Sequence, residues 1–142
     1  MPKEASGGVP QTSSHHPRFW KFYRTAKGNS PVKEFLDKLS DDDAAAVLAE
    51  MEYVAEYGEQ VARKLRGEIY EVRVSGKDVI YRILFATEGR WSQVLLALHA
   101  YTKKWQEARQ EDIDRADKRL ADWRQRGQAF RLSRKRPKTA KV

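Results

Sequence analysis

Arg73 and Arg82 are the first residues that demand a chemical explanation. Both stand inside runs that alternate as β-strands do, 69–74 and 79–85. An unpaired buried charge costs several kcal/mol or more, so each guanidinium must reach water, a carboxylate or an anionic ligand. For either arginine alone the simpler reading is a solvated sheet face with Glu71 as partner. The third run, 94–101, changes the balance, because it leads into His99-x-Tyr101-x-Lys103-Lys104. If the three runs pair as a meander, these groups converge on one edge of a sheet, an arrangement suited to a phosphodiester backbone. His99 titrates nearest neutrality and can serve as base or acid; it can equally be a core histidine in an apolar strand. Tyr101 can stack on a base, donate to phosphate, or simply pack.

Positioning these groups falls to the alternation itself. Tyr70, Val72 and Val74 share one face of the first run, and Ile69, Glu71 and Arg73 share the other. In the second, Val79, Tyr81, Ile83 and Phe85 oppose Ile80, Arg82 and Leu84. Ser75-Gly76-Lys77-Asp78 and Glu88-Gly89 are turns, and Gly76 can take a positive φ there at no steric cost. The continuous apolarity of the third run suits a central strand covered on both faces. Upstream, Ser30-Pro31 starts a helix, with Ser30 as cap and Val32, Phe35, Leu36 and Leu39 at i, i+3, i+4, i+7. Ser40-x-x-Asp43 starts a second helix, striped by Val47, Leu48, Met51, Val54 and Ala55 and ended by Gly58. The aromatic stretch 18–24 is a first, edge strand; core packing is preferred for Trp20 and Phe22 over a base-stacking platform. A third helix is expected over 106–126, with Ile113, Ala116, Leu120 and Trp123 on one side and interleaved charges elsewhere. The order β-α-α-β-β-β-α predicts an α+β domain with a small, mostly antiparallel, four-stranded sheet.

Composition sets the bounds. The 142 residues allow one domain, placed at 18–126 between a disordered tail (1–17) and a basic disordered tail (127–142). Six of the net +8 charges lie after Gly127, where no acid offsets them. That tail can contact RNA by counterion release or merely solubilise the chain. The core's basicity is therefore a matter of placement: 40–60 holds seven acids and no Lys or Arg. With no cysteine, neither a disulfide nor a thiolate metal site is possible, and His15-His16 in a tail without partners is no metal site. No apolar run approaches the ~18 residues of a membrane span, and the first residues lack the order of a signal peptide. A soluble, cytoplasmic protein without cofactor is expected.

The chain also resembles a known family. Lys64-Leu65-Arg66-Gly67, Ile69-Tyr70-Glu71-Val72-Arg73, Tyr81-Arg82-Ile83 and the stretch Leu95 to Lys104, followed by a C-terminal helix, are similar to the RelE/ParE toxin superfamily. The nearest branch is the phage-type HigB-like toxins of type II toxin–antitoxin modules. That resemblance implies the RelE-like fold and metal-independent cleavage of mRNA on the ribosome. It also implies an antitoxin partner, usually a small helix-turn-helix protein. In such chemistry the ribose 2′-OH attacks the adjacent phosphorus, one group takes its proton, another protonates the leaving 5′ oxygen, and cations stabilise the phosphorane. The resemblance carries catalytic roles over to Arg73, Arg82 and Lys104; His99 and Lys103 join them as catalytic candidates by their own chemistry, and Lys64, Arg66, Tyr101 and Trp105 are candidate RNA contacts. Two departures from the branch are Trp105-Gln106-Glu107-Ala108-Arg109 in place of a Thr- and Pro-containing segment, and no clear match for the aromatic that some RelE relatives carry farther into the closing helix. The identity of the base stays open. So do two other functions: a ParE-like gyrase inhibitor and a nonenzymatic RNA-binding relative. The set Arg73, Arg82, Lys103-Lys104 favours the ribonuclease, since binding alone needs no cations around one phosphate.

Overall fold

A computed structural model describes residues 16–103 and 109–135. Lys104, Trp105, His15 and both chain ends (1–15 and 136–142) lie outside the described residues. The elements are β1 (Phe19–Phe22), α1 (Pro31–Asp37), α2 (Asp41–Tyr57), β2 (Arg63–Arg66), β3 (Ile69–Ser75), β4 (Ile80–Glu88), β5 (Val94–Lys103) and α3 (Gln110–Lys135), with a 3₁₀ turn at Glu59–Val61. They build an α+β fold around a five-stranded sheet in the order β1-β5-β4-β3-β2. β1 runs parallel to β5, and the remaining neighbours are antiparallel.

The expected meander β3-β4-β5 forms, and the sheet has one strand more than expected. β2, Arg-Lys-Leu-Arg, has no alternation to reveal it. Gly67, at φ 55°, folds it back onto β3, and pairing imposes the extended form. In the β3–β4 turn, Asp78 rather than Gly76 takes the left-handed conformation, at φ 64°. Gly76 is needed for room instead: a Cβ there would lie 2.4 Å from the Tyr81 ring.

The helical hairpin follows its sequence signals. Ser40 Oγ accepts from the Asp43 amide at 3.1 Å, and the Asp43 carboxylate accepts from Tyr81 OH at 2.5 Å, fastening α2 to the sheet. Ser30 occupies the cap position of α1 without a side-chain capping bond; Pro31 alone sets that start. α3 runs through Gly127 to Lys135, past the boundary expected at 126.

Two apolar layers sandwich the sheet. One, under α1 and α2, joins Val32, Val47, Met51 and Val54 to Val72, Ile83, Phe85 and Leu95. The other, under α3, joins Ile69, Leu84, Leu96 and Leu98 to Ile113, Ala116 and Leu120. Each fully buried side chain of this size contributes about 1.5–3 kcal/mol. β5 is thus covered on both faces, as its unbroken apolar run requires.

Candidate functional site

Register brings the singled-out residues together on the α3 face. Arg73 of β3 lies opposite Arg82 of β4, and Arg82 lies opposite Tyr101 of β5. One row along, Arg63 pairs with Glu71, Glu71 with Leu84, and Leu84 with His99. Residues paired across a sheet present their side chains to the same face, so these two rows form one cluster.

The two arginines have different fates. Arg82 is wholly buried, and its Nη1 donates to Glu71 Oε2 at 2.6 Å, also wholly buried. Arg73 is 36% exposed, with Nε 3.5 Å from the other Glu71 oxygen. Glu71 therefore sits between the two guanidiniums, one inside and one at the rim. The Glu71 partnership weighed at the outset is what Arg82 makes, and in this geometry Arg82 does not reach a surface phosphate.

His99 is buried, and its Nε2 lies 2.8 Å from Asp112 Oδ1. Arg119 Nη1 stands 3.4 Å from Nδ1 and donates to the Leu98 carbonyl at 2.8 Å. A carboxylate accepts and a guanidinium donates, so the imidazole carries its proton on Nε2 and keeps its lone pair on Nδ1. Burial pushes the His99 pKa down against the opposing pull of Asp112, which favours this neutral form. For Asp112 burial pushes upward, but hydrogen bonds from Arg109 and His99 outweigh it and hold the carboxyl below its ordinary value. His99 is thus a core histidine in position, tied to charged partners.

Tyr101 stacks on His99, ring centroids 5.2 Å apart. Its hydroxyl is buried, has no hydrogen-bond partner among the described residues, and is pushed up to about 12, chiefly by burial and then by Asp112 and Glu71. Arg109 covers the ring with its guanidinium 5.8 Å from the centroid, donates to Asp112 Oδ2 at 2.7 Å, and leaves half its side chain exposed.

The remaining expected residues separate. Arg66 lies on this face but is gripped by Asp114 at 2.7 Å and Asp117 at 2.5 Å of α3. Lys64 pairs with Tyr70, whose ring stacks on Phe85 in the opposite layer, so Lys64 faces away from the cluster. The backbone of Lys103 ends β5 opposite Ile80, at the cluster's end of the strand. Among the described residues no group of His, Asp and Glu is placed to hold a metal ion.

The family of phage-derived Gp49-like proteins (DUF891) matches residues 34–121, which hold every member of this cluster. The chain belongs to that family. Two relatives from Mycobacterium tuberculosis, strains CDC 1551 / Oshkosh and ATCC 25618 / H37Rv, are each 34% identical over 109 residues. The alignment covers 74% of this chain and 84% of each relative, and both are named probable endoribonuclease HigB1. The HigB-like assignment made from the sequence therefore stands. Within this Gp49-like domain, sequence reading missed Arg63, Arg109, Asp112 and Arg119. Arg109, just before α3, and Asp112 and Arg119 within it carried a usable signal: they follow i, i+3, i+10, one helical stripe that adjoins the apolar one at Ala116.

Proposed function

We infer that this Gp49-like chain is the toxin of a toxin–antitoxin module and an endoribonuclease that cuts messenger RNA during translation, in the cytoplasm. The observation that carries the reading is the Asp112–His99 contact at 2.8 Å, on the same face as Arg73 and Tyr101. An imidazole whose Nε2–H is held by a carboxylate keeps Nδ1 as a base, and the same carboxylate stabilises the imidazolium once the proton arrives. His99 Nδ1 takes the proton of the ribose 2′-OH, and the 2′ oxygen attacks phosphorus. Arg73 and Arg109 at the rim hold the non-bridging oxygens; guanidinium forks suit that charge. Arg119, released from Nδ1, joins them. Tyr101 donates a proton to the departing 5′ oxygen, leaving a 2′,3′-cyclic phosphate and a 5′-hydroxyl. Arg82 is a positioning residue: it fixes Glu71, which in turn aims Arg73. Lys103 and Lys104 follow the site along the chain and add phosphate binding. The partner is an antitoxin, a small helix-turn-helix protein that neutralises the toxin by covering the site or blocking its approach to the ribosome.

Induced expression in a bacterial host tests this, with wild type beside His99→Gln and 5′ ends of cellular messages mapped. The Gln amide keeps the bond to Asp112 but cannot take a proton. Growth arrest with new in-frame cuts in wild type, absent in the variant, is the expected result. Arrest with intact messages and damaged DNA indicates gyrase as the target; arrest with neither indicates RNA binding alone.

A further inference from the structure

A groove lies at the opposite edge of the sheet from β2. With a volume of about 540 Å³, it opens along β1, lined by Lys21, Phe22, Arg24, Ser30, Lys33 and Trp123. Successive residues of a strand face opposite ways, so Lys21 and Phe22 in one groove mean that it wraps the open edge of β1. α1 contributes Lys33 from one face of the sheet and α3 contributes Trp123 from the other. Among the described residues no carboxylate lines the groove. Lys21 Nζ lies 5.7 Å from the Trp123 ring centroid. Arg24 makes its hydrogen bond to the Gly28 carbonyl at 3.1 Å, an uncharged acceptor that does not neutralise the guanidinium. Lys33 meets Asp37 at 3.2 Å, but both are well exposed, and such pairs are weak. Tyr23 and Asp122, the neighbours of these residues, bond to each other at 2.6 Å and hold the aromatic wall in place.

We propose that this groove binds one nucleotide of single-stranded RNA, its base on Trp123 and its phosphate among Lys21, Arg24 and Lys33. A half-buried aromatic plane flanked by cations is how sequence-tolerant single-strand sites are built, and the volume suits a ligand of that size. The path to the cleavage centre is short. Phe22 lies opposite Ala97, two residues before His99, so the groove and the imidazole stand on the order of 10–15 Å apart by strand spacing and rise. Arg119 links them: it contacts His99 Nδ1 and stands 5.7 Å from the ring of Tyr23, the residue between Phe22 and Arg24. All six lining residues fall outside the 34–121 segment matched by the family, so the groove is a separate feature from the cluster. The choice of RNA as ligand rests on the ribonuclease reading above.

The test uses the full chain and a 2′-O-methyl oligoadenylate hexamer, which lacks the attacking hydroxyl and stays intact. Titration by fluorescence anisotropy compares wild type with Trp123→Leu and with the triple variant Lys21→Ala/Arg24→Ala/Lys33→Ala. Removing the stacking plane for one base predicts about tenfold or weaker binding for Trp123→Leu. The triple variant should show a shallower dependence of log affinity on log salt, by about 0.7 for each phosphate it no longer neutralises. Cleavage of an unmodified message should show a raised KM and an unchanged kcat for the surface triple variant. Equal hexamer binding by wild type and triple variant overturns the groove, whatever the cleavage result. Binding of a polyglutamate peptide in place of the hexamer overturns it too, in favour of a protein partner. Weakened hexamer binding in the variants, without any cleavage in wild type, overturns the ribonuclease reading and leaves the groove standing.

Discussion

The sheet separates two kinds of interior. Beneath α1 and α2 the buried cluster is hydrocarbon and aromatic, with Tyr81 tied to Asp43 at its margin. Beneath α3 the apolar layer shares its face with buried Glu71, Arg82, His99 and Asp112. The first face needs only shape and volume to be stable. The second carries groups whose desolvation is offset only by one another, an arrangement in which stability gains little over a hydrophobic substitute. Where a fold keeps such a cluster inside a covered face, chemistry rather than cohesion is the better explanation.

The largest expected effect breaks the charged face from within. Arg82→Ala leaves Glu71 buried beside one guanidinium only, and should cost about 3–5 kcal/mol in a denaturant melt. The double variant Glu71→Leu/Arg82→Met should recover most of that stability without recovering cleavage, because the tether of Arg73 is gone. A double variant that cleaves normally means the pair serves packing alone.

A smaller effect is the pH response. His99 binds its proton less readily in the folded chain than its ordinary value of 6.5 allows, chiefly through burial. The unfolded chain therefore takes up more protons on acidification, so stability is full above about 6.5 and falls as pH drops below it. His99→Gln should flatten that part of a melting-temperature profile. For wild-type cleavage the same shift predicts a rate that falls on the acid side below 6.5 and is level across neutrality, since Tyr101 keeps its proton up to about 12.

The smallest effect lies at the surface of the same face. Arg124 bridges Glu68 at 2.8 Å and Glu88 at 2.6 Å, all partly exposed. Arg124→Ala should lower stability by at most about 1 kcal/mol, read from the same melts, with cleavage unchanged.

Much of this was legible in the order of residues. Period-2 alternation gave β3 and β4 with their faces, continuous apolarity gave β5, and Ser30-Pro31 and Ser40-x-x-Asp43 gave the helix starts. β2 was hidden because four charged or apolar residues without alternation become a strand only through pairing. Arg73 and Arg82 read as equals, since alternation assigns a face and says nothing of depth along it; only the docking of neighbours separates rim from interior. The acids of α3 read only as charges interleaved with its basic residues, because four aspartates spread through a helix do not reveal which one meets His99. That choice is made by the stripe Ile113, Ala116 and Leu120, which seats the helix and turns Asp112 inward.

The most direct test is the rate at which purified Arg73→Ala cuts a defined message on translating ribosomes, read by primer extension beside wild type at equal melting temperature. Arg73 is the partly exposed cation of the central row, so removing it should spare the fold and slow cutting by about 10²–10³-fold, the usual loss for one group stabilising developing charge. Cutting at the wild-type rate by a folded Arg73→Ala would contradict the assignment of this face as the ribonuclease centre.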